Sequence, residues 1–228
     1  MIILLVLLQG SAAERLKAGV DAALAAKSFT YAFDLKTEIP HSDPFQAKGR
    51  GVATHSQTLF SEYQGTGGID KKIVVTPKGS LIWHAFLEDW VTGEEYGDPG
   101  AGHGFQNPFD LLAVIKERTG VAADAEGGLV KLRFEGPAAL EMLGKLRVDP
   151  GRLKADGTWT EVVATLRDGR LASLRSTAHI NFADTGDAQA PGHFEYDVTV
   201  TVEAYDRDEK MTWKGIDVDA ALKRLATK

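Results

Sequence analysis

The chain has 228 residues, of which 43% are hydrophobic and 25% are charged, and its formal net charge is −6. This composition is typical of a globular protein and excludes a disordered, collagen-like or coiled-coil chain. The absence of cysteine excludes disulfides, thiolate–zinc sites, a cysteine nucleophile and acylation at an N-terminal cysteine. A nucleic-acid-binding surface needs clustered lysine and arginine, which the sequence lacks. No apolar run reaches the ~18 residues that a membrane-spanning helix needs.

The N-terminus combines an apolar run with small residues. Met1 to Leu8 contain no polar side chain, and Ser11 and Ala13 would occupy the small-residue positions of a cleavage point before Glu14. This pattern predicts the remnant of a signal peptide over residues 1–13, although the usual basic residues are missing. A buried N-terminal segment or the start of a helix would give the same pattern. Export predicts a periplasmic or secreted protein, with residues 14–228 forming one domain.

The remainder of the chain alternates between helical and strand patterns. Residues 12–27 repeat apolar side chains at helical spacing, and from Phe29 the period changes to two, which indicates a half-buried strand. Asp168-Gly169 is a typical hairpin turn, and residues 96–104 form a glycine-rich loop. We predict further strands over 45–55, 57–64, 69–76, 81–87, 129–135, 158–167, 171–182 and 193–205, and helices over 107–118, 137–145 and 217–226.

Short connections between these strands predict antiparallel pairing, because parallel strands need long crossovers. A few modest helices must cover about nine strands that each have one apolar face. A strongly curved sheet wrapped around the helices satisfies this requirement and leaves a concave apolar interior. The predicted fold is therefore α+β, with an unclosed antiparallel half-barrel.

The order of these segments resembles the LolA-like half-barrel of periplasmic lipoprotein carriers and the related LppX/LprG-like lipid-binding lipoproteins of mycobacteria. The resemblance runs from about Ser28 to Phe182 and weakly onward to Tyr205. It is carried by residues 28–33, 51–55, 58–63, 77–83, 107–112 and 166–171.

The resemblance implies a carrier that holds acyl chains under a helical lid and releases them to an envelope partner. The carriers' lid-locking arginine has no counterpart here, since the corresponding residues are His55-Ser56-Gln57. The implied protein is a monomer with no cofactor, no metal and no nucleic-acid partner, and it is peripheral at most to a membrane. Its ligand is a lipid or an acylated lipoprotein.

Strand alternation and the helical stripe at 107–118 together suggest which side chains line such a cavity. The predicted lining consists of Phe29, Tyr31, Phe33, Leu81, Trp83, Trp90, Phe105, Phe109, Leu112, Phe194, Tyr196 and Val198. The same stripes would also pack a dry core, which is the commoner role of such residues. A dry core would favour an envelope scaffold with a protein partner on the same fold.

Catalysis has little support in the sequence. Asp184-Thr185-Gly186 matches the aspartic-protease triplet, but it occurs once and lies in a polar loop between two strands. His103 lies between two glycines, but no clustered histidine pattern that would form a metal site accompanies it. His84 could act as a base, but the sequence has no Gly-x-Ser-x-Gly nucleophile elbow. We therefore predict no enzyme, and a hydrolase built on Asp184 or His103 is the last alternative.

Overall fold

A computed structural model describes residues 12–54, 58–96, 112, 116, 123–126, 129–145, 153–183, 192–206 and 211–227. The strands are β1 (Ser28–Glu38), β2 (Phe45–Thr54), β3 (Leu59–Gly65), β4 (Ile69–Thr76), β5 (Gly79–His84), β6 (Asp89–Val91), β7 (Ala123–Glu126), β8 (Leu129–Glu135), β9 (Leu153–Arg167), β10 (Arg170–Phe182) and β11 (His193–Tyr205). The helices are α1 (Ala12–Ala25), α2 (Gly93–Tyr96), α3 (Pro137–Lys145) and α4 (Val218–Ala226).

All eleven strands form one antiparallel sheet with the order β6-β5-β4-β3-β2-β1-β11-β10-β9-β8-β7. All neighbouring strands in the sheet are therefore consecutive in sequence, except for the pair β1 and β11. The two edges, β6 and β7, do not pair with each other, so the sheet stays open. The predicted half-barrel is confirmed.

The N-terminal helix shows how the sequence positions the cover of the sheet. Leu16, Val20 and Ala23 form one stripe and are fully buried, as the helical spacing predicts. This stripe packs α1 mainly onto β10, while α3 packs onto β8 and β9 through Ala139, Met142 and Leu143. These two helices thus fill the concave side of the β8–β10 half. None of the described helices is long and apolar enough to cross a lipid bilayer.

The β9–β10 hairpin confirms the turn predicted from its sequence. Asp168 and Gly169 have φ angles of 53° and 73°, as a two-residue turn with both central residues in the left-handed region requires. The resulting pairing places Leu166 opposite Leu171. The long strands β9 and β10 therefore enter the sheet in a fixed register.

Most predicted elements are present, with shifted ends. The strand predicted at 81–87 ends at His84, because residues 85–88 turn the chain into β6, and this turn exposes Phe86. The strand predicted at 158–167 begins five residues earlier, at Leu153. The short elements β6, α2 and β7 were not predicted.

Several predictions fall partly or wholly on residues outside the described part of the chain. Leu112 and Lys116 are helical, as predicted for 107–118, and the rest of that segment is not described. Residues 1–11 are not described either, so the signal peptide and the single domain at 14–228 stay predictions. The glycine-rich loop is described only at Tyr96.

Candidate functional site

The inner face of β1 carries a continuous row of large apolar side chains. Phe29, Tyr31, Phe33 and Leu35 alternate along the strand, and each is at most 8% exposed. Their rings lie in contact, with centroids 5.9 Å apart for Phe29–Tyr31 and 6.4 Å for Tyr31–Phe33. The row continues onto β3 through Tyr63, whose ring is 6.1 Å from that of Phe33.

Small residues of β2 create the space in which these rings lie. Gly51 pairs with Tyr31 and Gly49 pairs with Phe33. A Cβ at Gly51 would lie 2.3 Å from the Tyr31 hydroxyl, and one at Gly49 would lie 2.6 Å from the Phe33 ring. The aromatic rings of β1 therefore lean across the β2 backbone, and only glycine permits this approach.

On the other side of β1, strand β11 extends the same surface. Val198 pairs with Leu35 and Tyr196 pairs with Thr37, and both β11 side chains are buried. Phe194 is half-buried, and its ring lies 6.2 Å from that of Tyr196. The apolar inner face thus crosses the β1–β11 seam without interruption.

Two buried tyrosines add hydroxyl groups to this apolar face. The Tyr196 hydroxyl lies 3.3 Å from Ser176 Oγ, and burial raises the pKa of Tyr196, an effect that hydrogen bonding to Ser176 and Thr160 opposes. Burial also raises the pKa of Tyr31, and hydrogen bonding to Ser61 opposes that shift. Both phenols are therefore neutral at physiological pH and suit hydrogen bonding better than proton transfer.

Lys71 supplies a cation beside the aromatic row. It is 8% exposed and lies on β4, two residues before Ile73. Since residues two apart share a face of a strand, Lys71 lies on the same face as Ile73, which belongs to the inner cluster. Its ammonium nitrogen lies 5.9 Å from the ring centroid of Tyr63 and 5.2 Å from that of Tyr96. Such cation–π contacts stabilise a buried positive charge.

The structure brings together seven of the residues predicted to line the cavity. They belong to a single cluster, formed by Phe29, Tyr31, Phe33, Leu112, Phe194, Tyr196 and Val198. Phe105 and Phe109 lie outside the described residues. The predictions that these side chains contact a ligand stay predictions.

Leu81, Trp83 and Trp90 are not on this surface. They belong to a second cluster, on the outer face of the sheet, which α4 covers through Val218, Ala221 and Leu225. The neighbouring residue Ile82 faces the inner cluster instead. Alternation correctly indicated that Leu81 and Trp83 share a face, but that face is directed away from the interior.

Hydrogen bonds connect this outer cluster to the C-terminal helix α4. Trp90 Nε1 donates to the Asp217 carbonyl at 2.8 Å, and the Arg224 guanidinium donates to the Trp90 carbonyl. Asp217 also accepts from the Ala220 amide at 3.1 Å and so caps the first turn of α4. These contacts give the outer cluster a structural role in holding the C-terminal helix.

The described residues border two open pockets of about 450 Å³ each. One is bordered by the β8–α3 turn and by residues 155–159. The other is lined mainly by charged side chains of β2, β3 and β4, including Arg50, Glu62 and Lys72. Of the inner aromatic row, only Tyr63 borders either pocket.

The residues weighed for catalysis gain no geometric support from the described part of the chain. Asp184 and His103 lie outside it. His84 Nδ1 accepts a hydrogen bond from the Leu87 amide at 3.2 Å, and its ring packs edge-on against Tyr96. These contacts indicate that His84 stabilises the β5–β6 turn.

Comparison of the chain with protein-family models and with curated proteins finds no match. Among solved structures, the chain is similar to the lipoprotein LppX of Mycobacterium tuberculosis, with 12% identity, coverage of 88% of this chain and 98% of that chain, and a TM-score of 0.47. It is also similar to LprF from Mycobacterium bovis, with 13% identity, coverage of 89% and 96%, and a TM-score of 0.44.

A LolA superfamily protein of Nitrosomonas europaea is similar at 7% identity, with coverage of 92% of this chain and 98% of that chain and a TM-score of 0.36. These are the kinds of protein that the sequence resembles. The half-barrel itself is identified from this chain's own strand order and open sheet.

Proposed function

We propose that the protein is a non-catalytic carrier that takes the apolar chain of a lipid or an acylated protein against the inner face of β1–β4 and β11. The observation that carries this proposal is the uninterrupted apolar inner face of an open sheet, with α1 and α3 packed mainly on the β8–β10 half. Each methylene removed from water contributes about 0.8 kcal/mol, so such a face can hold an acyl chain without any reacting group.

The charged and hydroxyl groups beside the aromatic row favour an amphiphile with a negatively charged head. Lys71 places its ammonium group next to Tyr63 and Tyr96. An anionic head near this nitrogen would gain a charge-assisted hydrogen bond in a region of low dielectric constant. The chain would then lie along Tyr31 and Phe33.

The proposal places this activity outside the cytoplasm, in the periplasm or in the secreted fraction. Its support is the apolar run at Met1–Leu8 followed by the small residues Ser11 and Ala13. A carrier that meets lipids at a membrane surface would act as a monomer and would pass its ligand to an envelope partner.

Native mass spectrometry before and after organic extraction tests the proposal. We expect a mass excess that disappears on extraction and identifies the lipid class. A bare mass, together with no binding of a fluorescent fatty acid by the extracted protein, would overturn the carrier and favour the envelope scaffold with a protein partner.

A matched pair of variants tests the head-group preference. Lys71→Met should weaken binding of the fluorescent fatty acid at least about tenfold, because it removes a buried cation. Lys72→Met makes the same charge change at the adjacent residue, which pairs with Asp70, and should leave binding unchanged. Equal affinities of the two variants would show that Lys71 does not select the ligand.

A further inference from the structure

The outer face of β8–β11 carries a stack of four side chains, one from each strand. The Arg133 guanidinium lies 4.6 Å from the Trp159 ring centroid, and Trp159 and His179 are stacked with centroids 6.5 Å apart. His193 lies next on His179, with centroids 4.8 Å apart and ring planes at 22°. The proposed lipid-binding face is on the opposite side, because Ala178 and Ile180 flank His179 and belong to the inner cluster.

The hydrogen bonds of His179 fix which of its nitrogens carries a proton. Asn181 Nδ2 donates to the Asp156 carbonyl at 2.8 Å, which leaves Asn181 Oδ1 facing His179 Nε2 at 3.1 Å. Since an amide oxygen only accepts hydrogen bonds, Nε2 must carry the hydrogen. In the neutral imidazole, Nδ1 then holds an unprotonated lone pair.

That lone pair faces a second acceptor. His179 Nδ1 lies 2.9 Å from Glu195 Oε1, so a nitrogen lone pair and a carboxylate oxygen are directed at each other. Two acceptors at this distance repel each other unless a proton or another cation lies between them. Either a second proton on the ring or a bound metal ion satisfies this requirement.

His193 supplies the observation that favours a metal. It pairs with Asn181 across β10 and β11, just as Glu195 pairs with His179, so the three donors come from two adjacent strands. One ligand atom each of His179, His193 and Glu195 lies within 4.8 Å of the others. Two imidazole nitrogens and a carboxylate oxygen form a donor set that suits Zn²⁺ and neighbouring divalent transition metals.

We propose that His179, His193 and Glu195 bind a divalent transition-metal ion, with Zn²⁺ as the best match to the donors. The His179 and Glu195 side chains are 25% and 49% exposed, so an ion can reach them from solvent. Asn181 holds the His179 ring through Nε2–H, which is the usual supporting contact of a metal-bound histidine. The ion crosslinks β10 to β11.

Calorimetric titration of the full chain, prepared without a histidine tag and treated with a chelator, tests the site with Zn²⁺ alone. We expect one Zn²⁺ per chain with micromolar or tighter affinity, and a higher melting temperature, because the ion binds only the folded pairing of the two strands. His193→Ala should weaken binding at least about tenfold, whereas His84→Ala, on a different strand, should leave it unchanged.

Trp159 provides an independent readout. The other three tryptophans, Trp83, Trp90 and Trp213, lie together in the outer cluster on β5, β6 and the segment before α4. Cu²⁺ bound at His179 should therefore quench the fluorescence of Trp159 alone, and Trp159→Phe should abolish the quenching. Unaltered fluorescence together with no Zn²⁺ heat would overturn the site. Binding that persists in His193→Ala would also overturn it.

Discussion

The two aromatic clusters of this protein lie on opposite faces of one sheet and differ in the groups that surround them. The outer cluster, with Trp90 and Leu81, is closed by α4 and by hydrogen bonds to backbone carbonyls. The inner row, with Tyr31 and Phe33, leans over glycines and lies close to Lys71. Both clusters are almost fully buried, so aromatic content and burial alone do not separate a structural face from the proposed binding face.

The largest effect should come from the centre of the outer cluster. Trp90→Ala should lower the free energy of unfolding by about 3–5 kcal/mol, because it removes a 2% exposed indole that also bonds to Asp217. Denaturant unfolding measures this loss. A cost below about 1 kcal/mol would show that α4 does not depend on this contact.

A pair of truncations tests the separation of the two faces directly. Leu81→Ala and Phe33→Ala each remove a side chain that is at most 5% exposed, and each should cost about 2–5 kcal/mol of stability. Only Phe33→Ala should weaken binding of the fluorescent acyl probe, by about fivefold or more. Binding is measured at a temperature at which near-ultraviolet circular dichroism shows both variants folded. Equal loss of binding in both would contradict the assignment of faces.

A single added methyl group tests whether the glycines of β2 are needed to make room for the β1 rings. Gly51→Ala places its Cβ 2.3 Å from the Tyr31 hydroxyl and should cost about 1–3 kcal/mol. Gly192→Ala is the matched control, because a Cβ there meets nothing within 4 Å. Thermal unfolding compares the two variants, and equal melting temperatures would show that the Tyr31 ring moves aside freely.

The smallest expected effect is a loss of stability at alkaline pH, caused by Tyr205 at the edge of the inner face. Burial raises the pKa of Tyr205 from 10.0 to about 12, and the nearby Arg170 partly opposes this shift. The unfolded chain ionises first, so the contribution of Tyr205 to stability is complete below pH 10 and is lost as the pH rises towards about 12.

Urea unfolding between these pH values checks the alkaline effect. Tyr205→Phe should reduce the decline but not abolish it, since burial raises the pKa values of Tyr31 and Tyr196 as well. An unchanged decline in this variant would show that Tyr205 ionises equally in both states.

Local pattern was sufficient to predict much of the fold. The alternation of β11 places Tyr196 and Val198 on the inner face, and Asp168-Gly169 specifies its turn by itself. Short elements such as β6, Asp89–Val91, carry too few residues for a period to be recognised. Their pairing is decided by the neighbouring strand.

The candidate sites depend on contacts between distant residues, which limits their prediction from sequence. Leu81 and Trp90 were predicted to line the interior, because alternation identifies residues that share a face but not the side on which α4 docks. His193 and Glu195 lie two residues apart on β11, but His179 approaches them only through strand pairing, so local spacing does not mark all three residues. The available signals were this His-x-Glu spacing and a second histidine on the adjacent strand.

The strand order also has a consequence for how the chain folds. Each half of the sheet is a meander of sequence-local hairpins, whereas the β1–β11 seam joins residues as distant as Phe33 and Val200. Because closing such a long loop is entropically costly, the seam should form after the hairpins and limit the folding rate. Pulsed hydrogen exchange would then show the β1–β11 amides protected last. The apolar face that spans the seam would be complete only in the final step of folding.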